Sequence, residues 1–423
     1  MYQGKRSAPS PRPRWLLPAA AAGAATIVLL IIVAVAVFRP DPAADTTPQP
    51  SAVPSLSPSR EPEPSVGPTP EPAPTPTPDP AEALLAEMTL HEKVCQLFVV
   101  QPADLLPGVG KVTEAGAATQ KALERYPVAG LLYDASNLVT MEQTKTMLAN
   151  VQTYSKIPPI LTCDEEGGRV NRLMHTIGTT YIGPMLSYQD QGVETAAENA
   201  KTIAQDLRSC GFNMDLAPVA DVWSNPSNTV IGDRAYSDDF DEAGGLVASA
   251  VEGFHQGGVA CTLKHFPGHG DTSADSHYGS VYVYKTLDEL REAEFKPFRA
   301  GIAAGADAVM MGHLIVADVD DQPALLSYRI VTEILREELG FDGVVITDSL
   351  KMQAMTDHYG SGDIAVGAIQ AGVDLLLCPQ NLDEAVSALT RAVEDGTITQ
   401  ERLDESVLRV LRLKLDRGII PAE

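Results

Sequence analysis

Positive charge is scarce in this sequence of 423 residues: 31 Lys and Arg stand against 56 Asp and Glu, a formal net charge of −25. Nucleic-acid binding rests on clustered cations that displace counterions from phosphates, so no DNA or RNA partner is expected. Cysteine is sparse as well. Cys95, Cys163, Cys210, Cys261 and Cys378 are odd in number, widely spaced and mostly set in apolar runs, which predicts buried thiols rather than a disulfide framework. There is no Cys-x-x-Cys pair to signal a zinc knuckle or a redox motif, and no G-x-x-x-x-G-K-[ST] loop to signal nucleotide binding. No cysteine directly follows the apolar N-terminal segment, which argues against a lipoprotein anchor.

What is present divides the chain into four stretches. Residues 1–14 form a basic tail with Lys5, Arg6, Arg12 and Arg14. Residues 15–38 are apolar without interruption, longer than the roughly 20 residues a helix needs to cross a bilayer core. The cations on its N-terminal side place the tail in the cytoplasm and everything after Pro40 outside. Ala34-Val35-Ala36 offers a small-x-small site for signal-peptide cleavage. The length of the apolar run favours an uncleaved, single-pass anchor in a bacterial cell membrane. Residues 39–80 are rich in Pro, Ser, Thr, Glu and Ala and cannot build a core. Such a linker favours polyproline II at about 3.1 Å per residue, a reach of roughly 120 Å.

Residues 81–423 alternate short apolar β-rich runs with helical patterns, the mark of repeated βα units. Eight strands are predicted, at 96–100, 129–133, 159–163, 213–217, 260–265, 308–311, 344–347 and 374–378. The expected fold class is α/β, a (β/α)8 TIM barrel preceded by the transmembrane helix and the Pro-rich linker. An open doubly wound sheet is the alternative. Polar residues at or just past the predicted strand ends favour the barrel, whose active sites lie at that face: Asp164, Asp221, Lys264, His265, His313 and Asp348.

Three segments carry chemistry. Lys264-His265-Phe266-Pro267-Gly268-His269-Gly270-Asp271 ends a strand in two donors suited to sugar hydroxyls and then breaks into a loop. Asp275 and His277 follow, a carboxylate able to fix the imidazole tautomer of a proton-transfer residue. Read alone, His265, His269 and His277 with Asp271 are equally compatible with a metal cluster or with satisfied loop residues. Asp348 ends the apolar strand 344–347 and is either the N-cap of a helix starting near Leu350 or a nucleophile for an anomeric carbon. In Asp164-Glu165-Glu166-Gly167-Gly168-Arg169-Val170-Asn171-Arg172, Asp164 can accept paired hydroxyl bonds, while Arg172 and Arg234 can donate to ring substituents. An interstrand salt-bridge network is the alternative there.

At these residues the chain resembles the β-N-acetylglucosaminidases of glycoside hydrolase family 3, over essentially all of 81–420. The resemblance rests on Lys264 to Gly270, Asp275 with His277, Asp348, Asp164 to Arg172, and Ile231-Gly232-Asp233-Arg234. It implies that Asp348 is the nucleophile, His277 the acid/base and Asp275 its partner. Asp164, Arg172, Arg234, Lys264 and His265 then bind the substrate, a glycan with a terminal N-acetylglucosamine. No cofactor or metal is implied, and a monomer is expected. The implied activity is retaining exo-hydrolysis through a covalent glycosyl-enzyme intermediate. A His in place of the usual second carboxylate leaves room for phosphate as an acceptor. The chain ends soon after the last predicted helix, so the expected likeness is to the single-barrel branch. The anchor and linker, which lie outside the family pattern, point to cell-wall (peptidoglycan) glycan as substrate. A non-catalytic glycan-binding protein on the same scaffold and a metal-dependent hydrolase are the competing classes.

Overall fold

The computed structural model describes residues 79–273 and 279–421, all within one compact unit spanning 74–423. The predicted tail, the membrane span and all but the last two residues of the linker lie outside the described residues, as do Asp275 and His277. Among the described residues, no helix is long and apolar enough to cross a membrane.

Eight parallel strands appear where the apolar runs predict them: β1 (Phe98–Val100), β2 (Gly130–Leu132), β3 (Ile160–Cys163), β4 (Met214–Asp215), β5 (Thr262–Phe266), β6 (Ala308–Met311), β7 (Val344–Thr347) and β8 (Leu376–Leu377). Several are shorter than predicted, and at β1 and β8 flanking residues bond elsewhere. Gln96 closes the preceding helix through its N–H to the Glu92 carbonyl, and Asp374 accepts from Arg336 and from the Val345 N–H. The order is sequential, with β8–β1–β2–β3–β4 in one sheet and β5–β6–β7 in a second. Single parallel bridges, Met214 with Ala260 and Ile346 with Leu375, lie between β4 and β5 and between β7 and β8. A doubly wound sheet reverses its strand order part-way. No reversal occurs here.

Successive strand residues point to opposite faces, and the buried apolar side chains accordingly form two clusters. One gathers Val99, Ile160, Met214, Met310, Ile346 and Leu377. The other takes the alternate positions, Phe98, Leu161, Leu263, Val309, Val345 and Leu376, and packs them against the helices. Helices Val193–Cys210 and Phe240–Gly257, before and after β4, approach closely. A Cβ on Gly253 would lie 2.2 Å from the Ala197 carbonyl oxygen, so only glycine fits there. A separate two-stranded parallel ladder, Val281–Val283 with Leu314–Val316, follows β5 and β6.

The first helix, Pro80–Ala86, begins at the end of the predicted linker, with proline pre-set for the first helical position. Asp79 caps it by accepting from the Ala81 N–H at 2.9 Å. Asp79 also receives Arg412 of the last helix, Gln400–Asp416, at 2.7 Å. Arg412 lines a hollow with Asp307, Gly343 and Val344, which sit at the N-terminal ends of β6 and β7.

The last helix carries a fully buried cation. Lys414 is 0% exposed, and its ammonium donates to Gln96 Oε1 at 2.8 Å. Burial pulls its pKa down from 10.5 to about 7. Between those values the unfolded chain holds a proton that the native chain does not, so stability rises as pH climbs through that window. The full rise is about 5 kcal/mol. Lys414→Met is expected to abolish this slope. At pH 7 it should also raise the unfolding free energy by roughly 2 kcal/mol, the loss of Gln96's partner offsetting part of the gain. Denaturant unfolding between pH 6 and 10 checks both. A variant with the native pH slope would show that Lys414 is not its source.

Candidate active site

Parallel strands running the same way bring their C-terminal ends to one face, and there the charged side chains meet. Lys264, in β5, has 2% of its side chain exposed, and a buried ammonium of this kind needs close anionic partners. Its Nζ lies 2.7 Å from Asp164 Oδ1 and 2.6 Å from Glu166 Oε1. Arg234 donates to both Glu166 oxygens, at 2.7 and 2.8 Å, in the fork geometry that suits a guanidinium. Arg172 Nη2 reaches Asp164 Oδ2 at 3.3 Å. The result is an alternating chain, Arg172–Asp164–Lys264–Glu166–Arg234. Burial alone would raise the Glu166 pKa, but Arg234 and Lys264 hold it far below the usual carboxylate range. Burial likewise opposes the charge on Lys264, and Asp164 and Glu166 outweigh it, so its pKa is raised. Glu165 is buried and accepts from the Leu173 and Met174 N–H groups at 2.9 and 3.2 Å, folding the loop back so that Arg172 faces Asp164.

Asp348 stands directly after β7, its N–H bonded to the Met311 carbonyl at 2.9 Å. Its Oδ1 accepts from the Ser349 N–H at 2.6 Å. The next helix is Gln353–Thr356 with Met352 as its N-cap, so Asp348 is not the helix cap that its position allowed, and no helix begins at Leu350. Burial pushes the Asp348 pKa up. His313, His265, the Ser349 N–H and Lys264 overcome it, and the carboxyl is held below its ordinary value. It is an anion at neutral pH.

Asp221 organises the loop after β5. Fully within the protein at 2% exposure, it accepts from His265 Nδ1 at 2.7 Å and from the His265 and His269 N–H groups at 3.1 and 2.6 Å. Burial is again the opposing influence on its pKa, and His265 and His269 draw it below the ordinary carboxylate value. A carboxylate on Nδ1 fixes that nitrogen as a protonated one and holds the ring in place. The loop also needs Gly270, where a Cβ would fall 1.6 Å from the Val222 carbonyl oxygen.

A cavity of about 590 Å³ opens over these residues, within the range of small-molecule sites. Asp164, Arg172, Arg234, Lys264, His265 and Asp348 all line it. Residues 89–413 match the glycosyl hydrolase family 3 N terminal domain. The chain belongs to glycosyl hydrolase family 3. This family 3 hydrolase is 36% identical over 296 residues to the β-hexosaminidase of Stenotrophomonas maltophilia (strain R551-3), covering 67% of this chain and 86% of that one. It is 33% identical over 322 residues to β-hexosaminidase A of Pseudoalteromonas piscicida, covering 69% of this chain but only 54% of that longer relative. Among solved structures it is similar to a family 3 β-N-acetylglucosaminidase from Paenibacillus sp. str. FPU-7, with a TM-score of 0.74 and 38% identity. That likeness covers 79% of this chain and 64% of the other.

The geometry joins two readings of the acidic loop that the sequence left as alternatives: the salt-bridge network exists, and it forms part of the cavity wall. Sequence reasoning gave no role to Glu166, which holds both Lys264 and Arg234. The signal for it was the need of two buried cations for a second anion. Asp221 was noted only as a strand-end acid, and Gln101 and Asp134, which also line the cavity, went unremarked. The metal reading fares differently. His265 and His269 lie with ring centroids 6.0 Å apart, each turned to its own partner, Asp221 or Thr272. Among the described residues, the His/Cys/Asp group with ligand-like spacing is His255, Cys261 and Asp307, at the other ends of the strands, where Arg417 already contacts both His255 and Asp307.

Proposed function

We propose that this glycoside hydrolase is a retaining exo-β-N-acetylglucosaminidase that removes terminal β-linked N-acetylglucosamine from peptidoglycan fragments. The observation that carries the reading is the ionised Asp348 facing the same cavity as the chain of paired ions from Arg172 to Arg234. Asp164, Arg172, Arg234, Lys264 and His265 offer charged donors and acceptors in fixed positions, the equipment for gripping the hydroxyls of one sugar. The names of the Stenotrophomonas and Paenibacillus relatives support the hexosaminidase assignment.

In the proposed reaction an Asp348 oxygen attacks the anomeric carbon as the bond to the departing oxygen breaks, and that oxygen takes a proton from the His277 imidazolium. Water then attacks the glycosyl-enzyme and gives its proton to His277, and the carboxylate of Asp348 is released. Asp275 holds the imidazole. The scaffold is proposed as a closed (β/α)8 barrel; the pairing of β8 with β1 and the two single bridges support closure. The segment 15–38 is proposed as an uncleaved anchor of a bacterial cell membrane, with the linker holding the enzyme outside among wall glycans.

Full-length protein in detergent should release chromophore from a β-N-acetylglucosaminide and not from its α-anomer. Proton NMR should find the β-anomer of the sugar first. Purified muropeptides should lose N-acetylglucosamine from their non-reducing ends. Inverted product excludes the covalent route, N-acetylglucosaminyl phosphate formed in phosphate buffer marks a phosphorylase, and binding without turnover marks a lectin-like protein.

A further inference from the structure

His269 is absent from the reaction just described, yet it lines the same cavity as Asp348. Its side chain is 3% exposed. Its Nδ1 lies 2.7 Å from Thr272 Oγ1, and that hydroxyl is placed to donate to the His269 carbonyl oxygen at 3.0 Å. A threonine hydroxyl has one proton, so with that proton on the carbonyl oxygen the Nδ1–Thr272 bond must take its proton from the imidazole. In that arrangement the ring is the Nδ1–H tautomer, with a bare lone pair on Nε2. That Nε2 is buried and has no hydrogen-bond partner among the described residues. Burial holds the imidazole pKa below its ordinary value, against the pull of Asp221 and Asp348, which favours the neutral ring.

A buried acceptor without a partner costs free energy that a ligand can recover. Two of the charged acceptors on this wall, Asp164 and Glu166, are already engaged by Lys264, Arg172 and Arg234. We propose that His269 is a substrate-binding residue whose Nε2 accepts a hydrogen bond from a hydroxyl of the terminal sugar. This rests on the hexosaminidase reading above. It adds an uncharged contact that selects for one ring hydroxyl, because a site built to pair a polar group rejects the analogue lacking it.

His269→Asn is the discriminating variant: its amide can still donate to Thr272, but it is too short to offer an acceptor at the Nε2 position. Wild type and variant are compared on a chromogenic β-N-acetylglucosaminide and on its 3-, 4- and 6-deoxy analogues. Calorimetric binding of N-acetylglucosamine and its deoxy forms to the full-length protein runs alongside. One deoxy analogue should lose about 10-fold or more in kcat/KM and in affinity with wild type, as expected for one buried hydrogen bond. The same analogue should lose under about 3-fold with His269→Asn, because enzyme and substrate deletions remove one and the same contact. His269→Gln, which restores an acceptor near the Nε2 position, should recover part of the discrimination. Identical deoxy penalties in wild type and His269→Asn, with sugar binding intact, overturn the assignment of His269 alone. Wild-type protein that neither binds nor cleaves the sugar overturns the hexosaminidase reading and this one together.

Discussion

Asp348→Ala is expected to lower kcat/KM for a chromogenic β-N-acetylglucosaminide by about four orders of magnitude, equivalent to about 5 kcal/mol of transition-state stabilisation. The carboxylate is half-buried, kept ionised by His313, His265 and Lys264, and among the described residues held by one neighbouring N–H, so an oxygen remains for attack. Binding of the sugar should change little, since Asp164, Arg172, Lys264 and Arg234 keep their mutual contacts without Asp348. The loss should therefore fall on kcat rather than on KM. Added azide should restore part of the rate to Asp348→Gly and yield the α-glycosyl azide, since a small anion can occupy the vacated position. A variant that keeps more than a tenth of wild-type activity removes Asp348 from the role of nucleophile.

The second large effect is expected at His277, which lies outside the described residues. His277→Ala should cut kcat/KM by about 10² to 10⁴ for a disaccharide or alkyl glycoside, whose departing oxygen needs a proton. For a dinitrophenyl glycoside, whose leaving group departs as a stable anion, the loss should stay under about 10-fold. kcat/KM is the quantity to compare, because it reports the glycosylation step and is blind to the slower water attack that also needs His277. Equal losses on both substrates would mean that His277 positions the sugar and transfers no proton.

Much of this site can be read along the chain because each strand end is a local event. An apolar run that stops at Lys264-His265 or at Asp348 announces both the strand and the residue at its rim, and all of these residues reach one cavity. The parts that escape such reading are pairings across the fold. Glu166 meets Arg234 over 68 residues of separation, and Asp221 meets His265 over 44, and no spacing rule links either pair. Nor did the sequence show that Asp348 lacks a capping role, since a helix starting at Leu350 and one starting at Gln353 present the same local pattern. Strand lengths were overestimated at β1 and β8 for a related reason: Gln96 and Asp374 sit in apolar surroundings but direct their bonds to distant partners, Lys414 and Arg336.

The clasp between Asp79 and Arg412 gives the domain a polarity. Residue 79 is held beside the N-terminal ends of β6 and β7, whereas Asp348 and Lys264 belong to the opposite ends of their strands. Residue 79 therefore lies on the face opposite the one where the cavity opens. Trimming the chain ahead of residue 79 should therefore leave unchanged the rate at which a small soluble glycoside is cleaved.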